Sequence, residues 1–134
     1  MPAYPGNGLA TPLSYNKQLY MWMNDSVPVN TSPGSLSVAY QVQRIDGAYY
    51  PWGLSFEVWF SGNPGTFEVD IMGANTDNGY PTPGNYVQLG SITSVNGSYV
   101  GRWDMPSNIW PKYVAAYMKS LTNTAVTVSL QVTR

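Results

Sequence analysis

The sequence predicts an all-β fold: a two-sheet antiparallel sandwich of the jelly-roll kind, preceded by an extended N-terminal arm. Three observations lead there. Segments in which apolar and polar residues alternate recur along the chain, and that period of two marks half-buried strands. Pro and Gly, 11 and 13 of the 134 residues, punctuate these segments, and many short strands with such punctuation build sandwiches or barrels. A helical period competes at one place only, residues 113–121. An immunoglobulin-like sandwich is the alternative arrangement of the same strands.

Residues 1–18 form the expected arm, and residues 19–134 a single β-sandwich domain. Pro2, Pro5, Gly6, Gly8 and Pro12 prevent a regular element in the arm. Tyr4, Leu9, Leu13 and Tyr15 are spaced to lie along a groove or a neighbouring sheet edge, so the arm is expected to gain order on a partner. Residues 18–23 begin the strands, with Leu19, Met21 and Met23 on one face, Tyr20 and Trp22 on the other, and a stop at Asn24-Asp25-Ser26. Leu36, Val38, Tyr40 and Val42 mark the next strand, which runs to Arg44 and the turn Asp46-Gly47.

The stretch 54–74 organises the rest. Phe56, Val58 and Phe60 alternate with polar neighbours, as do Phe67, Val69 and Ile71, and Ser61-Gly-Asn-Pro-Gly65 lies between. Read as a hairpin, Phe60 faces Phe67, Val58 faces Val69 and Phe56 faces Ile71. A slip of one residue would set Val58 against Glu68, so the pattern selects this register. The opposite face would then carry Trp59 beside Glu68 and Glu57 beside Asp70. Residues 75–85 form a long Pro/Gly loop, the best candidate for a specific contact through Asp77 and Tyr80. Residues 86–93 read as a strand with a bulge at Gly90, Asn96-Gly97 as a hairpin turn, and 98–104 as its second strand. For 113–121 a strand is expected over a helix, because Pro111 precedes it and Leu121-Thr122-Asn123 reads as a hairpin turn into 125–133.

Composition removes several functions. Charged residues make up 10% of the chain, net charge is −1, and there is neither Cys nor His. Disulfides, thiol nucleophiles, Ser-His-Asp machinery and most transition-metal sites are thereby excluded. No basic stripe and no phosphate-binding Gly loop are present, so neither nucleic acid nor membrane is an expected partner, and no cofactor is expected. The N-terminus lacks the basic and apolar regions of a signal peptide. The sequons at Asn24, Asn30 and Asn96 are expected to be turn residues. A surface poor in charge and rich in Tyr and Trp is suited to being covered by another protein.

Glu57 and Asp70, opposed as the hairpin would have them, are the one pair with catalytic character. Like charges facing each other would make one acid resist ionisation, and Trp59 could serve as a sugar platform in a retaining glycosidase. The expected reading is structural, with Arg44, Arg102 or Lys119 relieving the repulsion, because an outer sheet face offers no desolvated cleft. Asn75-Thr76-Asp77-Asn78-Gly79 offers turn oxygens but lacks the downstream Glu of a calcium loop.

The second half resembles small capsid-associated structural proteins of tailed bacteriophages. The matching pieces are Ser61-Gly62-Asn63-Pro64, Val69-Asp70-Ile71 leading to Ala74-Asn75-Thr76-Asp77, Tyr86-Val87-Gln88-Leu89-Gly90, and Trp110-Pro111-Lys112-Tyr113-Val114 running to Ser120-Leu121-Thr122-Asn123. The likeness covers residues 55–134. It implies a non-enzymatic, jelly-roll-like cement or decoration protein, made in the host cytoplasm and held on the virion surface by major capsid protein, commonly as a homodimer or homotrimer. Tyr4, Leu9, Leu13, Tyr15, Trp59, Asp77 and Tyr80 are its candidate partner-binding residues. The alternative is a carbohydrate-binding sandwich module or small glycosidase. Three or more aromatic rings lining one groove would favour that alternative, and aromatics spread over a flat face would favour an interface.

Overall fold

The computed structural model describes residues 11–13, 18–31, 35–42, 54–75, 86–95, 97–106, 108–109 and 111–133. The strands are β1 (Thr11–Leu13), β2 (Gln18–Asp25), β3 (Tyr40–Val42), β4 (Ser55–Phe60), β5 (Phe67–Ala74), β6 (Val87–Thr93), β7 (Val100–Asp104), β8 (Tyr113–Leu121) and β9 (Val128–Thr133). Among the described residues there is no helix, and 113–121 is the strand expected of it.

Two sheets face each other, one in the order β1-β3-β8-β5-β6 and one in the order β2-β9-β4-β7. The antiparallel pairs β2/β9, β3/β8, β4/β7 and β5/β6 nest inside one another, and β4/β9 and β5/β8 join them into sheets. A doubled ribbon of eight strands wound in this way is a jelly roll. β1 adds to β3 in parallel, with Thr11 opposite Tyr40 and Leu13 opposite Val42. This part of the arm is therefore held by the chain's own sheet edge and does not wait for a partner to order it.

The expected hairpin at 54–74 does not form. β4 and β5 belong to different sheets, so the Ser61–Thr66 connection is an arch that carries the chain across the core. Phe60 and Phe67 still meet, with ring centroids 4.7 Å apart, but across the sandwich and not side by side. Alternation puts all six apolar side chains on one side of the chain in either arrangement, so the pattern alone does not separate them. The arch is held by another connection: Ser61 N donates to Thr127 O at 3.0 Å, Asn123 N to Pro64 O at 3.0 Å, and Thr122 N to Thr66 O at 2.9 Å. The same correction applies at Asn96-Gly97 and at 121–123. Gly97 has the positive φ of 78° that the turn demands, and Ser98 N donates to Val95 O at 2.9 Å, yet β6 and β7 then diverge into opposite sheets.

The core between the sheets holds Trp22, Phe56, Val58, Val69, Ile71, Val114, Met118, Leu130 and Val132, each at most 1% exposed. At about 1.5–3 kcal/mol for each large apolar side chain, this burial is the main stabilising contribution. Two departures from strict alternation matter. In β2, register shifts between Tyr20 and Trp22 and again between Trp22 and Asp25 bury Met21 and Trp22 together and leave Met23 exposed. The expected row of Leu19, Met21 and Met23 on one face is thus broken by bulges. Asn24, expected at a turn, lies instead within β2 at its second register shift, where it takes a left-handed φ of 54°, and Asn30 takes φ of 50° at a bend, a conformation Asn tolerates. Of the strand expected from Leu36 to Arg44, Tyr40–Val42 is the regular part among the described residues. Leu36 bridges to Tyr117, and Ser37 Oγ accepts from Ala116 N at 2.8 Å, so a side chain replaces a ladder bond. The expected end of this strand at Arg44 and Asp46-Gly47 lies outside the described residues.

Gly90 sits where a bulge was expected, for a reason the sequence does not carry. Ile71 pairs with Gly90 and Met72 with Gln88, which leaves Leu89 as the extra residue. A Cβ on Gly90 would lie 2.2 Å from Cε2 of Trp103, whose ring rests on Phe56 with centroids 5.9 Å apart. Glycine here lets Trp103 close the sandwich edge between β6 and β7. Gly90→Ala is expected to cost about 1–3 kcal/mol through overpacking. Urea unfolding measures it, and adding Trp103→Leu should recover part of the loss if the clash is the cause.

Candidate interaction surfaces

The exposed face of the β2-β9-β4-β7 sheet is built in rows by its register. Gln18, Thr133, Ser55 and Asp104 form one row across the four strands, and Tyr20, Gln131, Glu57 and Arg102 the next. A shallow cleft of about 300 Å³ runs over Gln18, Ser55, Glu57, Arg102, Gln131 and Thr133. Ser129 and Trp59 stand in the following row. Tyr20 and Trp59 approach edge to face, with centroids 6.0 Å apart. They reach toward each other from either side of β9, where small Ser129 lies 6% exposed and accepts a hydrogen bond from Asn24 N at 2.9 Å. Arg102 Nε donates to Asp104 Oδ1 at 2.9 Å, and Ser55 Oγ donates to the same oxygen at 2.8 Å. These two bonds hold the Asp104 carboxyl below its ordinary range, and the bond to Asp104 raises Arg102. Both side chains are solvated, so the pair orients groups more than it stabilises the fold.

Glu57 and Asp70 are not opposed. Glu57 faces solvent from β4, where its strand neighbours are Arg102 and Gln131, whereas Asp70 lies on β5 in the other sheet beside Tyr117 and Ser91. The arch at 61–66 separates them: alternation sends Glu57 and Asp70 away from the core, on opposite outer faces of the sandwich. They cannot act as a glycosidase pair. The acid that resists ionisation is Asp70, and its neighbour is Glu68 on the same strand. Burial first, then a hydrogen bond and charge repulsion from Glu68, push Asp70 up to about 7, while Lys119 pulls the other way. Lys119 Nζ stands 3.6 Å from Glu68 Oε2, and Gln88 Nε2 donates to Asp70 Oδ1 at 3.4 Å. With the two acids apart there is no repulsion between them to relieve: Arg102 stands opposite Glu57 on one face, and Lys119 lies beside Glu68 and Asp70 on the other. Toward the other end of this second face, Ala39, Ala74, Tyr86, Tyr113 and Ala115 form a small buried cluster of their own. Burial raises Tyr86, whose hydroxyl has no hydrogen-bond partner among the described residues.

A third surface lies at one end of the sandwich. Pairing of Phe60 with Val128, of Trp59 with Val100, of Glu68 with Thr93 and of Phe67 with Leu121 brings the connections 61–66 and 122–127 and the described residues of 94–99 to the same end. None of them contains Asp, Glu, Lys or Arg. A cleft of about 460 Å³ opens among Asn63, Gly65, Thr66, Ser94, Val95, Gly97 and Thr122. Val95, Tyr99 and Val100 project beside it, 66%, 44% and 48% exposed.

Of the residues singled out in the sequence, Trp59 stands half-buried on the first face, and Leu13 belongs to β1 by its backbone. Tyr4, Leu9, Tyr15, Asp77 and Tyr80 lie outside the described residues, as do Trp52 and Trp110. From the 75–85 loop, Asn75 is described, and its Oδ1 accepts from Lys112 N at 3.2 Å. Trp22 belongs to the core, and Trp103 is packed on Phe56, which leaves Tyr20 and Trp59 as the rings grouped on an open face among the described residues. Sequence reasoning did not single out Tyr20, Gln131 or the uncharged end. The lack of charge in three connections was visible in the chain, but their convergence required the strand order. Among the described residues no group of His, Cys, Asp and Glu could hold a metal ion. Comparison of the chain with known protein families, curated proteins and solved structures gives no match.

Proposed function

We propose that this chain is a non-enzymatic virion structural protein of a tailed phage, a cement or decoration protein that binds the outer surface of assembled major capsid protein as a homodimer or homotrimer. The observation that carries the reading is the uncharged end of the sandwich with Val95, Tyr99 and Val100 projecting from it. Exposed apolar side chains grouped at one place mark interaction sites, and burying an uncharged rim avoids the desolvation penalty that unpaired charges incur. The remoteness of Glu57 from Asp70 supports a role without catalysis. The sandwich supplies a rigid body for such a contact, and β1 fixes the arm at the edge of the other sheet.

The test is cosedimentation with purified shells. The protein is expected on particles in a fixed ratio to the coat subunit. The double substitution Val95→Asp and Val100→Asp should leave the melting temperature nearly unchanged, because both side chains are exposed, and should weaken shell binding at least tenfold. Absence of the protein from purified particles would sink the reading. Shell binding undiminished by the two aspartates would remove this end of the sandwich as the contact.

A further inference from the structure

We propose that the exposed face of the β2-β9-β4-β7 sheet is a binding surface for neutral polysaccharide, a site separate from the capsid contact and independent of it. A sugar ring presents C–H groups on its flat faces and hydroxyls around its rim. It is recognised where an aromatic ring stands beside side chains that both donate and accept. This face has both parts in register. Gln18, Ser55, Gln131 and Thr133 line the cleft together with Glu57 and Arg102, and Tyr20, in the same row as Gln131 and Glu57, meets Trp59 of the following row edge to face above Ser129. Amides and hydroxyls serve hydroxyl groups in either hydrogen-bond direction, without the cost of stripping water from an unpaired charge.

The charges on the face argue against an ionic ligand. Arg102 is already tied to Asp104 and stands opposite Glu57, so an acidic sugar would meet two carboxylates and a guanidinium that is already engaged. The two polar rows cross four neighbouring strands, about 15 Å at the usual strand spacing, and end at the sheet edges β2 and β7. A linear chain can therefore lie across the strands and leave at either side. The cleft, about 300 Å³, is at the lower end of the range for small-ligand sites.

The experiment uses the full-length labelled protein on a printed array of neutral and acidic bacterial surface polysaccharides. Each positive is then titrated in solution against tryptophan fluorescence. Binding to one or more neutral polysaccharides is expected, with Trp59→Ala and Gln131→Ala each weakening it at least tenfold. Val87→Ala, on an exposed side chain of β6 in the other sheet, should leave it unchanged. Melting curves identify any variant that fails to fold, and Gln131→Ala keeps the test open should Trp59→Ala do so. No binding to any neutral polysaccharide would overturn the proposal. So would binding confined to acidic ones, or binding that survives both substitutions. Loss of shell binding in the aspartate variants has no bearing on this outcome, so the two readings fail separately.

Discussion

Phe56→Ala is expected to lower stability by about 3–5 kcal/mol, the usual cost of emptying a fully buried aromatic site. Phe56 is 0% exposed, faces Val132 and Trp103 in its ladders, and supports the Trp103 ring at 5.9 Å. Removing it opens a cavity and leaves Trp103 without a floor at the sandwich edge. Total stability of a domain this size is about 5–15 kcal/mol, so the variant should melt more than 10 °C lower or fail to fold. The adjacent Glu57→Ala, on the exposed face, should shift stability by no more than about 0.5 kcal/mol. Urea unfolding of the two variants is the measurement. Comparable losses would mean that β4 does not alternate between core and solvent.

Asp70→Asn is expected to stabilise the protein at pH 8 and to leave it nearly unchanged at pH 4. The carboxyl has a folded-state pKa of about 7 against an ordinary value of 3.8. Between those values the native chain keeps a proton that the unfolded chain has lost. Stability therefore falls as pH rises through this window, and the whole penalty is present above pH 7. Asparagine does not ionise and escapes it. Its Oδ1 can still accept from Gln88, so the substitution removes the charge and keeps the hydrogen bond. The nearby ammonium of Lys119 and the partial solvation of the carboxylates reduce the gain, and about 1–3 kcal/mol at pH 8 is the expected size. Melting temperatures of both proteins from pH 4 to 8 measure it. A variant less stable than the parent at pH 8 would mean that the Asp70 carboxylate is favourably engaged and not penalised.

Both expectations turn on which face of a strand a residue occupies, and most of that was legible in the chain. Phe56, Val58 and Phe60, then Val128, Leu130 and Val132, alternate without interruption and are buried as alternation demands. β2 was less legible. Nothing in Leu19-Tyr20-Met21-Trp22-Met23 announces two bulges. They arise because Trp22 must reach the core from an edge strand while Asp25 turns inward to accept from Met23 N at 2.8 Å. Gly90 was legible as an irregularity, but its cause is the Trp103 ring of a strand in the other sheet. The candidate surfaces were the least legible. Tyr20, Gln131, Glu57 and Arg102 are scattered over the sequence and form one row only through the ladders of β9 and β4.

The sequence by itself determined the all-β class, the strand at 113–121 and the inward residues of β4, β5 and β9. These follow from a period of two, from Pro/Gly punctuation and from the burial of apolar side chains, all local to a segment. Only the tertiary structure decided that the connections at 61–66, 94–99 and 122–127 cross between sheets. A hairpin lays two apolar rows side by side, and an arch lays them face to face. Either arrangement takes the same side chains out of water. What separates them is where the backbone of each strand finds its hydrogen bonds, and those partners are strands distant in sequence: β7 and β9 for β4, β6 and β8 for β5. The same choice sent Glu57 and Asp70 to opposite faces of the sandwich, because residues on the two sides of an arch point away from the core in opposite directions.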